Sequence, residues 1–362
     1  MTNMSNISSM LEQSRAIDYY LLIRSPPIVA YFYLWGYLII FILGFTGNIA
    51  SLLTFIRPTL RRVSTGTLFI VLAISDTLFL FASIFDFIDF GLQVPLYGRI
   101  NYDILCSYRV FVISMTQICS AWILVIISID RWIRTRFPHK SARLCTPKKA
   151  LIAVVIVIFV DAIIHSPMLT PFFGMLLPGV AIIACGPNVK QKLYLNFYYY
   201  TWTIIQIFIN CLIPGLLMLL VLLDMFINIR VRKRALSQQI QFQNQTINRN
   251  RFFQKELFLL MLSSIIIFLT TTLPIATFRI IFPKQVLTMK VEEYGSVMSI
   301  SAGLTCFWSF NYAINFYIHC LTSKLFRKEF IELIKFISKG NHNAVLPITH
   351  TRITQFTPKR QK

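Results

Sequence analysis

Seven long apolar runs separated by polar connections set the plan of this chain. They occupy roughly residues 28–56, 65–90, 106–130, 149–170, 197–229, 254–282 and 293–319. Each reaches the roughly 20 residues that a helix needs to cross about 30 Å of hydrocarbon. The pattern predicts an all-α membrane protein, a seven-transmembrane helix bundle over 28–322. Beyond it, Leu325, Phe326, Phe330, Leu333, Ile334 and Ile337 fall on one stripe, with Lys and Arg over much of the remainder. Residues 323–338 are therefore expected to form an amphipathic helix on the inner membrane surface. Residues 1–27 and 339–362 are polar; the tail is expected to be disordered and cytoplasmic. No short cleavable signal pattern precedes the first run, which is expected to serve as its own start-transfer signal.

Composition agrees with the bilayer as solvent: 56% of the 362 residues are hydrophobic and 14% charged, more apolar surface than a soluble interior can hide. A net charge of +21 would suit a nucleic-acid partner, but the Lys and Arg gather in the odd-numbered connections and the carboxyl tail. That one-sidedness is a topological signal. It puts the amino terminus outside and the tail in the cytoplasm, against anionic membrane lipids. The expectation is a multi-pass protein of the plasma membrane, with lipids and not nucleic acid beside it. Orientation also sorts the seven cysteines. Cys106 and Cys185 face the oxidising side and are the expected disulfide; Cys119, Cys145, Cys211, Cys306 and Cys320 are expected as free thiols. Asn3 and Asn6 head glycan-acceptor triplets outside, whereas the triplet at Asn244 lies on the cytoplasmic side and is expected to be silent.

Within the runs a few polar residues stand out. Asp76 lies deep in the second, where an unpaired carboxylate costs roughly 2.5–3.5 kcal/mol, so it needs a partner. The third run carries Cys106 at one end and Asp130-Arg131-Trp132 at the other, a span of about 37 Å along a helix. Gly44, Gly47 and Asn48 in the first permit close helix approach. Asp161 and His165 in the fourth suit interhelical hydrogen bonding at least as well as any other role. Pro214 in the fifth and Pro274 in the sixth each remove a backbone hydrogen bond and are expected hinges. The basic, Gln- and Asn-rich stretch 230–251 reads as a connection.

In this order the landmarks resemble those of the rhodopsin-like G-protein-coupled receptors, over roughly residues 30–337. The match rests on Gly47-Asn48, Leu72-Ala73 with Asp76, Cys106 with Cys185, Asp130-Arg131-Trp132 for the family's Asp-Arg-Tyr, Pro214, Pro274, Asn315, and Phe326-Arg327 with Phe330. The resemblance implies that Arg131 receives the carboxyl-terminal helix of a heterotrimeric G protein, with Asp130 holding its guanidinium at rest. It also implies that Asp76, Ser120, Asn311 and Asn315 correspond to a sodium pocket, Na+ acting as an allosteric ion; a water-filled network without sodium is the alternative. No other cofactor is expected.

The departures are as specific as the matches. Thr271-Thr272-Leu273-Pro274 lacks the family's sixth-span tryptophan, Asn315-Phe316-Tyr317-Ile318-His319 lacks its seventh-span proline and terminal tyrosine, and Leu222 stands where the fifth span usually has tyrosine. Asn-Phe for Asn-Pro is similar to invertebrate FMRFamide-type peptide receptors. The seventh run has no Lys for a retinal Schiff base, and Ile113 replaces the acid that amine receptors use. Asp86, Asp89, Gln117, Gln206 and Arg279 face the outer half and form the candidate ligand pocket, suited to a short amidated peptide. Solvated or structurally paired carboxylates are the competing reading of Asp86 and Asp89. Without a metal-hydrolase motif, phosphate loop or nucleophile constellation, the chain is expected not to be an enzyme. Two rival readings are a receptor-shaped protein with lost coupling and a seven-helix chemosensory channel, whose amino terminus would lie inside.

Overall fold

The computed structural model describes residues 27–94, 102–175, 185–188, 190–239, 244–282 and 291–338. The expected glycan sites Asn3 and Asn6 and the tail beyond residue 338 lie outside them. Helix α1 is Pro27–Phe55, α2 Ser64–Gly91, α4 Pro147–Leu169 and α5 Lys192–Asn228. Helix α3 is Tyr102–Arg136 and α6 is Asn244–Ile281. These, with Met261–Ile281 as the apolar part of α6, are among the described residues six helices long and apolar enough to cross a membrane. The seventh, α7, begins as Val291–Ser309, tightens to a 3-10 turn at Phe310–Tyr312 and resumes as Asn315–Thr322. The result is a seven-helix transmembrane bundle.

Helix α8, Lys324–Ser338, follows at once. Its Phe326 is buried and, with Phe330, packs on Phe316 of α7, while Ile334 and Ile337 stay exposed. The predicted stripe is thus divided between the bundle and the membrane side. Arg57, in the connection after α1, meets Glu329 at 3.3 Å and Glu332 at 3.4 Å, fixing α8 to that end of the bundle.

The stretch 230–251 differs from the expected connection. Helical backbone runs through Gln239 on the α5 side and starts again at Asn244. Gln, Arg and Lys are good helix formers, so the polar composition that ends a membrane span need not end the helix.

The core follows from the seams between helices. In the inner half, Phe69 and Leu72 of α2, Ile123 and Ile127 of α3, Met218 of α5 and Ile265 of α6 form one buried cluster. Nearer the outer side, Ile40, Phe79, Leu80, Trp308 and Tyr312 form another, with Phe79 and Tyr312 stacked at 3.9 Å. Gly44 explains the close approach of α1: an added Cβ would collide with Leu80 and crowd Ala313. Ile152, Val155, Ile156, Phe159 and Ile163 of α4 are exposed, as expected of a lipid-facing side. Pro214 follows a wider π-helical turn at Phe208–Leu212.

Candidate functional site

Helix α3 carries functional groups at three depths. At the outer end, Cys106 is bonded to Cys185, as the cysteine sorting predicted, with Cα atoms 5.5 Å apart. Strand β1, Phe173–Met175, pairs antiparallel with β2, Cys185–Pro187, so the disulfide pins a small hairpin against the mouth of the bundle. Below it, Arg109 of α3 forms an ion pair with Asp86 of α2 and lies 4.9 Å over the Phe85 ring. Arg279 of α6 lies 5.6 Å over Trp308 of α7. Tyr33 of α1 is within electrostatic reach of Asp86, Arg109 and Arg279 together, so these charges share one region. Asp89 and Gln117 are buried and Gln206 half-buried. Of the five pocket residues expected from sequence, Asp86 thus has a structural partner. Arg109, a charge within the third span, supplies it.

Midway through the membrane Asp76 is fully buried, and both its oxygens are occupied. Ser120 Oγ of α3 donates to Oδ1 at 2.8 Å, and Asn315 Nδ2 of α7 donates to Oδ2 at 2.7 Å. Ser120 also meets Ser75 Oγ at 3.0 Å, and Ser75 donates to the Thr116 carbonyl at 3.1 Å. Asn48 of α1 donates to the Tyr312 carbonyl at 3.2 Å. The acid that the sequence left in need of a partner is therefore the junction of α2, α3 and α7. Asn311 enters through its carbonyl, which accepts from Asn315 at 3.4 Å. The groups beside Asp76 able to ligate a cation are oxygens, the type that suits a hard ion, while the Asn315 amide nitrogen donates to the carboxylate.

At the inner end the triplet splits. Asp130 is buried and accepts from Ser64 Oγ, from Thr65 Oγ1 at 2.7 Å and from Arg134 Nε at 3.0 Å. The expected hold of Asp130 on Arg131 is not a close ion pair: among the described residues that pair is with Arg134, and the Arg131 charge acts on the same carboxylate beside it. Residues four apart share a helix face and immediate neighbours do not, so Arg134 has the geometric advantage. Arg134 also donates to Ser64 Oγ at 2.7 Å and to the Cys145 carbonyl at 3.1 Å, closing the network onto the connection between α3 and α4. There, burial pushes the Cys145 thiol up to about 11, and it donates to the Asp130 carbonyl at 3.6 Å. Trp132 points elsewhere, its indole nitrogen donating to Asp224 of α5 at 2.6 Å.

Two further expectations find their places. Asp161 and His165, expected in interhelical hydrogen bonds, instead pair with each other at 2.7 Å within α4, and His165 meets the next helix through an edge-on contact with Trp202 of α5. His319, where the resemblance expected tyrosine, is buried among Phe55, Phe69 and Phe326, at 4.4 Å from the Phe69 ring. Arg134 could have been found from its spacing to Asp130. Asp224 could not, because nothing along the chain links it to Trp132.

A family model described as "7 transmembrane receptor (rhodopsin family)" matches residues 47–317. Among curated proteins, an FMRFamide peptide receptor of Caenorhabditis elegans is 29% identical over 142 residues, 36% of this chain and 30% of that protein. Galanin receptor type 2 of Homo sapiens is 29% identical over 153 residues, 41% and 37% of the two chains. Lysophosphatidic acid receptor 6 of Mus musculus is 29% identical over 163 residues, 45% and 44%. The chain thus matches well under two thirds of each relative's length.

Proposed function

Because the chain belongs to the rhodopsin family of seven-transmembrane receptors, we propose that it is a plasma-membrane receptor that carries an extracellular peptide signal to a heterotrimeric G protein. The observation that carries this reading is the three-level arrangement along α3: the disulfide-pinned mouth, Ser120 at the Asp76 junction and the Asp130-Arg131-Trp132 end lie on one continuous helix. A ligand that binds one arrangement of the mouth better than another shifts the bundle toward it, and linkage makes the G protein raise ligand affinity in return.

Asp86 and Arg109 already neutralise each other, so a peptide guanidinium would enter by taking Asp86 from Arg109. Arg279 would meet a carbonyl or acidic group. Relatives that are receptors for FMRFamide and galanin by name support a peptide, and the lysophosphatidic acid receptor makes that lipid the natural control. In this reading the amino terminus is outside and glycosylated at Asn3 and Asn6, and α8 lies against the inner leaflet.

Sodium is part of the same proposal. Asp76 and Ser120 would hold the ion, Asn311 and Asn315 would complete the oxygen set, and its charge would neutralise the buried carboxylate. Replacing sodium by a large organic cation at constant ionic strength should then change peptide affinity in the wild type and not in Asp76→Asn.

The deciding experiment is nucleotide exchange on a panel of G proteins, with short amidated peptides or lysophosphatidic acid applied to the full chain. Peptide-stimulated exchange that disappears in Arg131→Ala supports the proposal. Exchange driven by the lipid alone removes the peptide from it, and no exchange with any ligand removes coupling.

A further inference from the structure

The bond from Trp132 to Asp224 is one rung of a longer contact between α3 and α5. Asp224 Oδ2, which accepts the indole N–H at 2.6 Å, also accepts from Asn228 Nδ2 at 2.7 Å. Asn228 Nδ2 reaches the Asp224 carbonyl at 2.7 Å as well, so the amide is anchored one turn along its own helix. Its Oδ1 accepts from the guanidinium of Arg136. Trp132 and Arg136 are four apart on α3, and Asp224 and Asn228 are four apart on α5. Two facing stripes are therefore joined at successive turns.

The chemistry of the rungs is one-directional. An indole nitrogen only donates and an ionised carboxylate only accepts, and a hydrogen bond to a charged acceptor is the stronger kind. Trp132 is half-buried and Asn228 is buried, so water competes poorly for them. Around α3, Asp130 and Trp132 point about 200° apart at 100° per residue. Asp130 is tied to α2 through Ser64 and Thr65, and Trp132 to α5 through Asp224. Arg131 lies between two contacts that pull on opposite sides of its helix.

We infer that Asp224 is a positioning residue whose carboxylate clasps the inner end of α5 to Trp132, and that this clasp sets the resting geometry of the surface around Arg131. Two departures noted in the sequence then belong together. Where the resembled family has tyrosines, this chain has Trp132 and Leu222; Leu222 is buried in the apolar seam, and the polar tie between the helices sits two residues further on, at Asp224. The effect on exchange rests on the receptor reading above; the clasp itself does not.

The test uses the full chain in lipid nanodiscs, in a Cys320→Ser background, with nitroxide labels on Ile129→Cys of α3 and Ile227→Cys of α5, both exposed positions. Pulsed paramagnetic resonance should give a longer or broader label separation in Trp132→Phe and in Asp224→Ala. The double variant should differ no further than Asp224→Ala alone, since Trp132→Phe removes only the bond that this change already removes. Agonist-independent nucleotide exchange, read at equal receptor density, should rise by roughly five-fold in each single variant, the low end of conformational coupling. Label separations equal to wild type, or effects that simply add in the double variant, overturn the clasp. Shifted separations with unchanged, measurable exchange overturn its control of the Arg131 surface. Shifted separations with no exchange from any variant or the wild type support the clasp and count against the receptor reading.

Discussion

Arg131 and Arg134 divide a task that the sequence assigned to one arginine. Arg134 neutralises Asp130 and reaches Ser64 and the Cys145 carbonyl, so it is a structural residue at the inner edge of the bundle. Its replacement by Ala removes hydrogen bonds to a charged group, each worth about 1.5–3 kcal/mol, and should lower the melting temperature of the purified chain. Arg131→Ala should leave the melting temperature close to wild type and abolish exchange. A thermal-shift measurement on the two variants separates the roles, and equal destabilisation by both would contradict the division. The sequence contained half of this result. The four-residue spacing from Asp130 to Arg134 is legible to anyone who applies helix geometry, whereas the matching motif drew attention to the neighbour instead. Asp224 carries no comparable signal, because pairing between helices depends on their rotation about their own axes, which an apolar run does not specify.

Elements were more legible than their contacts. Every spanning run became a helix because 20 or so apolar residues in lipid have few other ways to satisfy their backbone groups. Misplaced ends occurred where polar residues continue a helix beyond the membrane, as on both sides of residues 240–243. Helix α8 was legible as an amphipathic stripe, but its division was not: Phe326 is buried with Phe55, His319 and Phe316, while Ile337 is exposed. The two faces should respond differently to mutation. Phe326→Ala should cost about 3–5 kcal/mol, the range for a truncated core phenylalanine, and depress the melting temperature of the detergent-solubilised chain. Ile337→Ala should leave that temperature unchanged. A comparable loss from both would mean that α8 does not rest on α7.

At the scale of the whole molecule the proposed orientation, with the amino terminus outside, rests on the charge asymmetry, and the disulfide sits at the end that this orientation calls outer. Lys and Arg crowd the connections at the Arg131 end of α3, and the bonded pair Cys106–Cys185 lies at the other. Expressed in mammalian cells, the chain should lose apparent mass on glycosidase treatment, and Asn3→Gln with Asn6→Gln should remove that shift. A wild-type chain without glycans on intact cells would count against this orientation. The interruption of α7 at Phe310–Tyr312 adds something that topology alone does not. It leaves the eight residues Asn315–Thr322 as a separate stub whose first residue grips Asp76 and whose His319 is wedged among three phenylalanine rings. Torsion of that stub would lift Asn315 from the carboxylate and turn the imidazole out of its socket in a single stroke, gearing the middle of the bundle to its inner rim.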